Sequence, residues 1–287
     1  MTLRLTYTVQ ETDHGKLLRS FLRKQHLSRR SLTCLKHRGG QITVNGEQQK
    51  VLYILNAGDT VEVFFPPEPV SEQLRAIPIA FEIVYEDDYL LVVNKKEGLP
   101  VVPTRNHEAT LVNGILAYYQ EIGLESTVHV VNRLDKDTSG LMVVAKYRHL
   151  HYLMTKDMKK ISRRYYALVE GEMAGSGEIN VPIFRPAPES VKRVVDPQGK
   201  QALTDYQSIC IYEDKTLVRC QLKTGRTHQI RVHLAHLGHP IVGDPLYGSG
   251  EVGDRQLLHS YYLAFKHPIS GEWMEFKTEI PERFGRL

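Results

Sequence analysis

This chain of 287 residues has little cysteine and no long apolar run, and both absences limit what it can be. Only Cys34, Cys210 and Cys220 occur, without a Cys-x-x-Cys pair, which argues against a disulfide framework or a thiolate metal site. We therefore expect reduced thiols in the cytoplasm. No apolar run approaches the ~18 residues of a membrane span. The first residues lack the basic segment and apolar core of a secretory signal, so we expect no membrane partner.

Acidic residues are absent between Asp13 and Glu47. The Lys and Arg residues in this interval are Lys16, Arg19, Arg23, Lys24, Arg29, Arg30, Lys36 and Arg38. Residues 1–66 carry ten Lys or Arg against five Asp or Glu, although the net charge of the whole chain is only +4. A solvated basic helix face would account for such a cluster. The complete lack of acids favours a polyanionic partner such as a nucleic acid.

The same segment has the pattern of a small α/β module. Helical spacing first appears at Leu17, Leu18, Phe21 and Leu22. Asp13 is a candidate cap for this helix, and Ser28 is one for a second helix that ends at Gly39-Gly40. Asn45-Gly46 then predicts a hairpin turn, and the alternation of Val61, Val63 and Phe65 predicts a later strand.

Two short basic helices before a small sheet resemble the S-four-like (alpha-L) RNA-binding module. Residues 27–30 (LSRR) and 40–46 (GQITVNG) carry this resemblance, which implies that Arg29 and Arg30 contact RNA. Pro66-Pro67-Glu68-Pro69 then breaks the pattern and predicts a stiff, extended linker. We therefore divide the chain into an RNA-binding module at 1–66, a linker at 67–79 and a second domain at 80–287.

A short polar segment, residues 135–140, lies between two apolar runs and is the most informative stretch of the second domain. Val128, Val130, Val131 and Leu134 lead in, residues 141–145 lead out, and both runs predict buried strands. A strand that ended at Asp135 would hold this carboxylate rigidly at the end of a sheet while the loop exposed it.

Several chemistries could use this loop. A calcium loop fits Asp135, Asp137, Ser139 and Gly140, but Lys146 stands where a bidentate glutamate is needed, so we reject it. A metal-dependent phosphohydrolase of the haloacid-dehalogenase type would need a downstream acidic pair, and none is evident. Asp135 could also act alone, as a covalent nucleophile or base supported by an arginine. Asx-turn capping of backbone donors is the simple structural alternative.

The surroundings of the loop closely resemble the RluA-type pseudouridine synthases, which isomerise uridine in RNA. The motifs that carry this resemblance, in chain order, are 85–95 (YEDDYLLVVNK), 133–146 (RLDKDTSGLMVVAK), 164–171 (RYYALVEG), 222–235 (LKTGRTHQIRVHLA) and 238–248 (GHPIVGDPLYG). Ordered matches of this length are far more specific than one short motif. The resemblance covers about residues 80–280. It implies an α+β fold in which a mixed, mainly antiparallel sheet with flanking helices forms the catalytic domain.

The resemblance also assigns roles. Asp135 is the essential carboxylate, Arg231 is the arginine that pairs with it, and Tyr165 packs on the base. Arg133 helps to flip the uridine out of its stack. Arg226 and His228, in the motif at residues 222–235, are further RNA contacts. No redox step or group transfer is involved, so no cofactor and no metal are implied.

Two features depart from simple expectations. Asn132 stands where the family commonly has histidine, so target preference could differ. His233, His236 and His239 are spaced by threes, but Gly238 and Pro240 break a helix there and no carboxylate or thiolate pair completes a zinc site. We therefore expect hydrogen-bonded structural or RNA-facing histidines.

The basic module favours ribosomal RNA over transfer RNA as the partner, and nothing demands a dimer, so a monomer is expected. A catalytically silent RNA-binding protein and a metal-dependent phosphohydrolase are the alternative functions.

Overall fold

The computed structural model describes residues 2–104, 107–250 and 254–285, except the side chains of residues 29, 30, 34 and 36. The helices are α1 Leu18–Lys24, α2 Arg29–His37, α3 Leu111–Glu121, α4 Arg148–Thr155 and α5 Gln229–His236, with 3-10 turns at Glu11–Asp13, Met158–Lys160 and Glu282–Phe284. The strands are β1 Arg4–Thr8, β2 Gln41–Val44, β3 Glu47–Gln48, β4 Thr60–Phe64, β5 Glu82–Glu86, β6 Leu90–Lys95, β7 His129–Val130, β8 Ser139–Ala145, β9 Ser162–Glu170, β10 Ser176–Asn180, β11 Ile183–Phe184, β12 Val194–Val195, β13 Leu203–Tyr212, β14 Lys215–Leu222, β15 Leu258–Lys266 and β16 Trp273–Lys277.

The first sheet has four strands in the order β1-β4-β2-β3. Its hairpin turns at Asn45 and Gly46, which both adopt positive φ as the sequence predicts. The alternation in β4 buries Val61 and Val63 completely, and α1 covers them with Leu18 and Leu22. The Ser28 hydroxyl accepts a hydrogen bond from the Ser31 backbone N–H, so the predicted cap of α2 is confirmed.

The larger sheet runs β10-β13-β14-β9-β15-β8-β6-β5, with β16 added to β15 and β7 added to β8. Neighbouring strands are antiparallel except β15 and β8, which pair in parallel at His259–Ser139 and Ser260–Gly140. All seven residues of β8 are buried, because the strand lies in the middle of the sheet. The predicted mixed, mainly antiparallel α+β architecture is confirmed.

Contacts join the linker and the first strands to the larger sheet. Glu68 accepts a hydrogen bond from the Arg148 backbone N–H at 2.7 Å and lies 2.5 Å from His129 Nε2. Phe65 stacks on His149 with ring centroids 5.4 Å apart. Leu5 of β1 belongs to the same apolar cluster as β6 and β8.

Two local predictions are wrong. Asp13 does not cap α1, which begins at Leu18 after a Leu17 N-cap. The Asp13 carboxylate is instead buried and binds Lys16 Nζ at 2.9 Å and Lys24 Nζ at 2.6 Å. Two ammonium groups satisfy the carboxylate better than the capping of one backbone N–H would.

The strand that precedes the polar segment at residues 135–140 is also shorter than predicted. It ends at Val130, so Asp135 lies five residues beyond it, in a loop. The Asn132 side-chain oxygen accepts the Val143 backbone N–H at 2.8 Å. This side chain takes the place that a backbone carbonyl would have in a longer strand, and the chain turns away from the sheet here.

Buried histidines make the stability of the fold depend on pH. Burial lowers the pKa of His149, His233 and His259 to about 4, whereas an unfolded histidine titrates near 6.5. Between these values the unfolded chain binds protons that the folded chain does not bind. The free energy of unfolding is therefore expected to fall as the pH falls from about 6.5 to about 4.

Urea denaturation at pH 7 and pH 5 measures this effect. His259→Asn is expected to reduce the difference between the two midpoints. His37→Asn is the matched control, because His37 is exposed. Equal pH responses of the two variants would contradict the prediction.

Candidate active site

A cleft with a volume of about 720 Å³ opens beside the loop that carries Asp135. Residues 130–136 and 222–227 line it, together with Met158, Lys159, Arg163, Tyr165 and part of the segment 100–107. A narrower extension of about 60 Å³ continues from Asp135 and Tyr165 to His228 and Arg231. A separate concavity of about 550 Å³ crosses β10, β13 and β14 and shares no lining residue with the cleft. The cleft is large enough for a nucleotide.

Arg231 joins two carboxylates at the base of this site. Its Nε and Nη2 atoms donate to the two oxygens of Asp244, each at 2.7 Å, and Nη1 donates to Asp135 Oδ2 at 3.1 Å. Asp244 is fully buried, while the Asp135 side chain is 29% exposed. Burial opposes the charge of Arg231, but the hydrogen bonds and opposite charges of Asp244 and Asp135 together outweigh it and raise the arginine pKa. The bidentate pair therefore fixes the guanidinium, which in turn aims Asp135.

His228 faces the same oxygen of Asp135. Its Nε2 lies 3.8 Å from Asp135 Oδ2, and its backbone has a left-handed φ of 57° at the start of α5. Tyr247 OH accepts the Arg193 backbone N–H at 2.7 Å and lies 2.9 Å from His228 Nδ1. We assign the Tyr247 hydroxyl as donor to Nδ1, which places the ring proton on Nε2, towards Asp135. Burial lowers the pKa of His228, against the opposing effect of Asp135, so the ring is neutral at pH 7.

Tyr165 lies in β9 and is 4% exposed, with its side chain in both the cleft and the extension. Burial raises its pKa, so the phenol is protonated at neutral pH. Its neighbour Tyr166 points to the other face of the sheet and stacks on Tyr261 at 3.9 Å between centroids. Tyr166 and Tyr261 therefore form a cross-strand aromatic pair on that face.

Lys95 ties the loop that carries Asp135 to the wall of the cleft. The side chain is 1% exposed, and Nζ donates to the backbone carbonyls of Lys96, Leu99 and Lys136 at 2.8–2.9 Å. Burial lowers its pKa to about 8, although Asp137 and Asp135 favour the charge. The ammonium thus holds the residue that follows Asp135 against the segment that opens the cleft.

The other RNA contacts predicted from the sequence have different positions. Arg133 and Arg226 are exposed on the rim of the cleft, and Arg226 Nε donates to the Gln201 carbonyl at 3.0 Å. Arg29 and Arg30 begin α2, but their side chains are outside the described part of the chain. Sequence reasoning placed no role on Asp244, Lys95 or Tyr247. Their presence within motifs could not reveal these roles, because their contacts join parts of the chain that are separated in the sequence.

Two of the three histidines that are spaced by threes, His233 and His239, have structural polar contacts. His233 Nδ1 lies 2.9 Å from the Thr204 hydroxyl, and His239 Nδ1 lies 2.9 Å from the Glu170 carbonyl. Within the described residues, no three His, Cys, Asp or Glu side chains are grouped so as to hold a metal ion. In the same part of the chain, none of the helices combines the length and apolar character that crossing a bilayer requires.

Gly140 permits the close approach on which the position of the loop depends. Its φ is +109°, and a Cβ atom there would lie 2.3 Å from the Ser260 carbonyl oxygen. Gly140→Ala is therefore expected to lower the free energy of unfolding by more than about 2 kcal/mol, through backbone strain and collision together. Urea denaturation measures the loss.

Gly46→Ala separates the two causes of this loss. Gly46 has a φ of +83°, but a Cβ atom would meet nothing within 4 Å. This variant is expected to lose only about 1 kcal/mol, the cost of backbone strain. Equal losses in the two variants would show that the contact with Ser260 does not matter.

The chain is similar to known proteins over the part that carries Asp135, Tyr165 and Arg231. A family model described as RNA pseudouridylate synthase matches residues 89–236, which include Asp135, Tyr165 and Arg231. The uncharacterized RNA pseudouridine synthase YjbO of Bacillus subtilis is 45% identical over 267 residues, which cover 91% of this chain and 94% of that protein.

Two further similarities agree with this match. Ribosomal large subunit pseudouridine synthase D of Zymomonas mobilis is 39% identical over 235 residues, which cover 75% of this chain and 74% of that protein. The solved structure of Human RNA Pseudouridylate Synthase Domain Containing 1 superposes with a TM-score of 0.57 at 28% identity. It covers 74% of this chain and 86% of the human chain.

Proposed function

The chain belongs to the RNA pseudouridylate synthase family, whose members are isomerases, and we propose that it converts uridine in ribosomal RNA to pseudouridine with Asp135 as the catalytic carboxylate. One observation carries the assignment of the residue. Asp135 is the only acidic side chain among the described residues that line the cleft, and a fixed arginine holds one of its oxygens.

The two oxygens of Asp135 have different surroundings. Oδ2 accepts the hydrogen bond from Arg231 and faces His228, whereas Oδ1 has no hydrogen bond to the described residues. Oδ1 is therefore the atom that we assign to react with the uridine, as nucleophile or base. Arg231 offsets the charge of the carboxylate and keeps it aimed into the cleft.

The overall reaction is an isomerisation. The bond between uracil N1 and sugar C1′ breaks, the base turns in the pocket, and a bond forms between C5 and C1′. The hydrogen on C5 leaves to water and N1 takes up a proton, so no oxidant, reductant or group carrier is consumed. The apolar wall formed by Val101, Val131 and Leu222 excludes water and retains the free uracil.

Other cleft residues receive roles from their positions. Tyr165 supplies a buried aromatic surface on which the uracil packs. Arg133 and Arg226, exposed on the rim, hold the RNA while the uridine leaves its stack. His228 presents Nε2–H near Asp135 Oδ2, where it steadies the carboxylate or an oxygen of the substrate.

The choice of ribosomal RNA rests on two supports. The name of the Zymomonas relative specifies the large ribosomal subunit. The basic segment of residues 1–66 forms its own four-stranded sheet with two helices and its own apolar cluster, which suits an S-four-like RNA-binding module. In this proposal residues 67–79 link that module to a catalytic domain at 80–287, and the protein acts as a cytoplasmic monomer.

Release of tritium from RNA tests the proposal. Transcripts of ribosomal RNA and of transfer RNA are made with uridine tritiated at C5 and incubated with the protein without added metal, and tritium in water is counted. Because transcripts carry no earlier modification, every target uridine is available. Release from ribosomal RNA alone is expected. Release only from transfer RNA would overturn the substrate, and release from neither would overturn the isomerase activity.

A further inference from the structure

Arg163 is a buried cation that has no anionic partner within the described residues. Its side chain is 6% exposed, and its Nε atom is buried without a hydrogen-bond partner. No carboxylate of the described residues forms an ion pair with its guanidinium. Charged side chains are almost never this deeply buried unless they are paired. The Arg163 guanidinium therefore has room for an anionic partner, which a ligand could supply.

The direction of the side chain shows where that anion would lie. Residues of a strand alternate between the two faces of the sheet, so Arg163 and Tyr165 share the face that borders the cleft. Arg164 points to the opposite face, where its guanidinium lies 4.4 Å from the ring centroid of Tyr262. Arg163 is close enough to Tyr165 for its charge to lower the phenol pKa, against the larger opposing effect of burial.

The loop after β14 is shaped to admit this guanidinium. A Cβ atom on Gly225 would lie 2.9 Å from Arg163 Nη1, so a larger residue there would press on the arginine. Among the described residues of the cleft, the Lys and Arg side chains are Arg133, Lys136, Lys159, Arg163, Lys223 and Arg226. Asp135 alone opposes them, so the cleft carries a clear excess of positive charge.

We propose that Arg163 and the backbone beside Gly225 form a binding site for a phosphodiester of the RNA strand, at the nucleotide that enters the cleft or its neighbour. This inference rests on the proposed function, because it takes RNA as the substrate. In RNA the phosphodiester is the anion that accompanies every nucleotide, and a guanidinium binds it with two parallel hydrogen bonds. Arg163 thereby adds to the affinity for the RNA strand, while Asp135 and Tyr165 act on the sugar and base of the nucleotide in the cleft.

Arg163→Met and Arg164→Met form a matched pair for the test. Binding of a ribosomal RNA transcript is measured by filter retention over a range of salt concentrations, and the isomerisation rate is measured in a single turnover at saturating RNA. Arg163→Met is expected to raise Kd about tenfold and to reduce the slope of log K against log salt by about 0.7–0.9, the change for one lost phosphate contact. The saturating rate is expected to stay within about twofold. Arg164→Met is expected to change neither quantity.

Phosphate ethylation interference on the same transcript identifies the ligand itself. The wild-type protein is expected to show interference at a set of phosphates, and Arg163→Met to lose one position that Arg164→Met retains. Retention of every position by Arg163→Met would overturn the proposal. A slower saturating rate with unchanged Kd and salt slope would also overturn it, because Arg163 would then act through Tyr165.

These readouts are separate from the isomerase activity. Filter retention and ethylation interference do not require turnover, so they remain informative if no tritium is released by the wild-type protein. Conversely, tritium release by Arg163→Met at saturating RNA would support the proposed function even if the phosphate site were absent. Thermal unfolding of both variants shows whether either substitution impairs folding, and Arg163→Lys keeps the charge if methionine does.

Discussion

Replacement of Asp135 by asparagine is expected to abolish tritium release from RNA, with a rate loss of at least about 10³-fold. Asparagine has nearly the same shape, and its side-chain oxygen can still accept the hydrogen bond from Arg231 Nη1. It lacks the negative charge and the free carboxylate oxygen that we propose to react with uridine. Single-turnover tritium release measures the rate, and filter retention measures RNA binding, which is expected to change no more than severalfold.

Asp137→Asn is the matched control for this variant. Asp137 lies two residues further along the same loop, and its Oδ1 is 4.0 Å from Arg255 Nε. We predict that it braces the loop, so its amide variant should retain activity within a few-fold. If Asp137→Asn abolished turnover while the protein remained folded and bound RNA, the assignment of Asp137 as a loop brace would be wrong.

Strong local patterns in the sequence predicted the framework of the fold. The continuous apolar run of β8 marks a strand buried on both faces. The Asn45-Gly46 turn and the alternation in β4 are likewise local signals. Each of these elements forms because the conformational preferences of neighbouring residues in the chain favour the same local structure.

Side-chain partners that are distant in the sequence could not be predicted in this way. The acceptors of Lys95 are backbone carbonyls, including that of Lys136, 41 residues away. Because every residue has a backbone carbonyl, the sequence does not indicate which of them accept the hydrogen bonds. The early end of β7 depends on the Asn132 side chain, which replaces a backbone acceptor for Val143. Asp244 was visible only as part of a motif, since its pairing with Arg231 requires the turn after α5 to return to the helix.

The pair formed by Arg231 and Asp244 leads to the second large effect. Arg231→Met is expected to lower the free energy of unfolding by about 3–5 kcal/mol, because it leaves the fully buried Asp244 carboxylate without a cation. It is also expected to stop isomerisation, because Asp135 loses the donor that aims it. Urea denaturation and single-turnover tritium release measure the two losses.

A double variant separates the structural role of Arg231 from the role in activity that we propose for it. In Arg231→Met combined with Asp244→Asn, the buried charge is gone, and the amide oxygen can still accept the backbone N–H groups of Leu246 and Tyr247 as the carboxylate does. Stability is therefore expected to recover in part, whereas activity is not, because Asp135 still lacks its arginine. Recovery of activity together with stability would show that Arg231 only supports the fold. A stable Arg231→Met protein without activity would show that the buried carboxylate tolerates the loss and that aiming Asp135 is the whole contribution of Arg231.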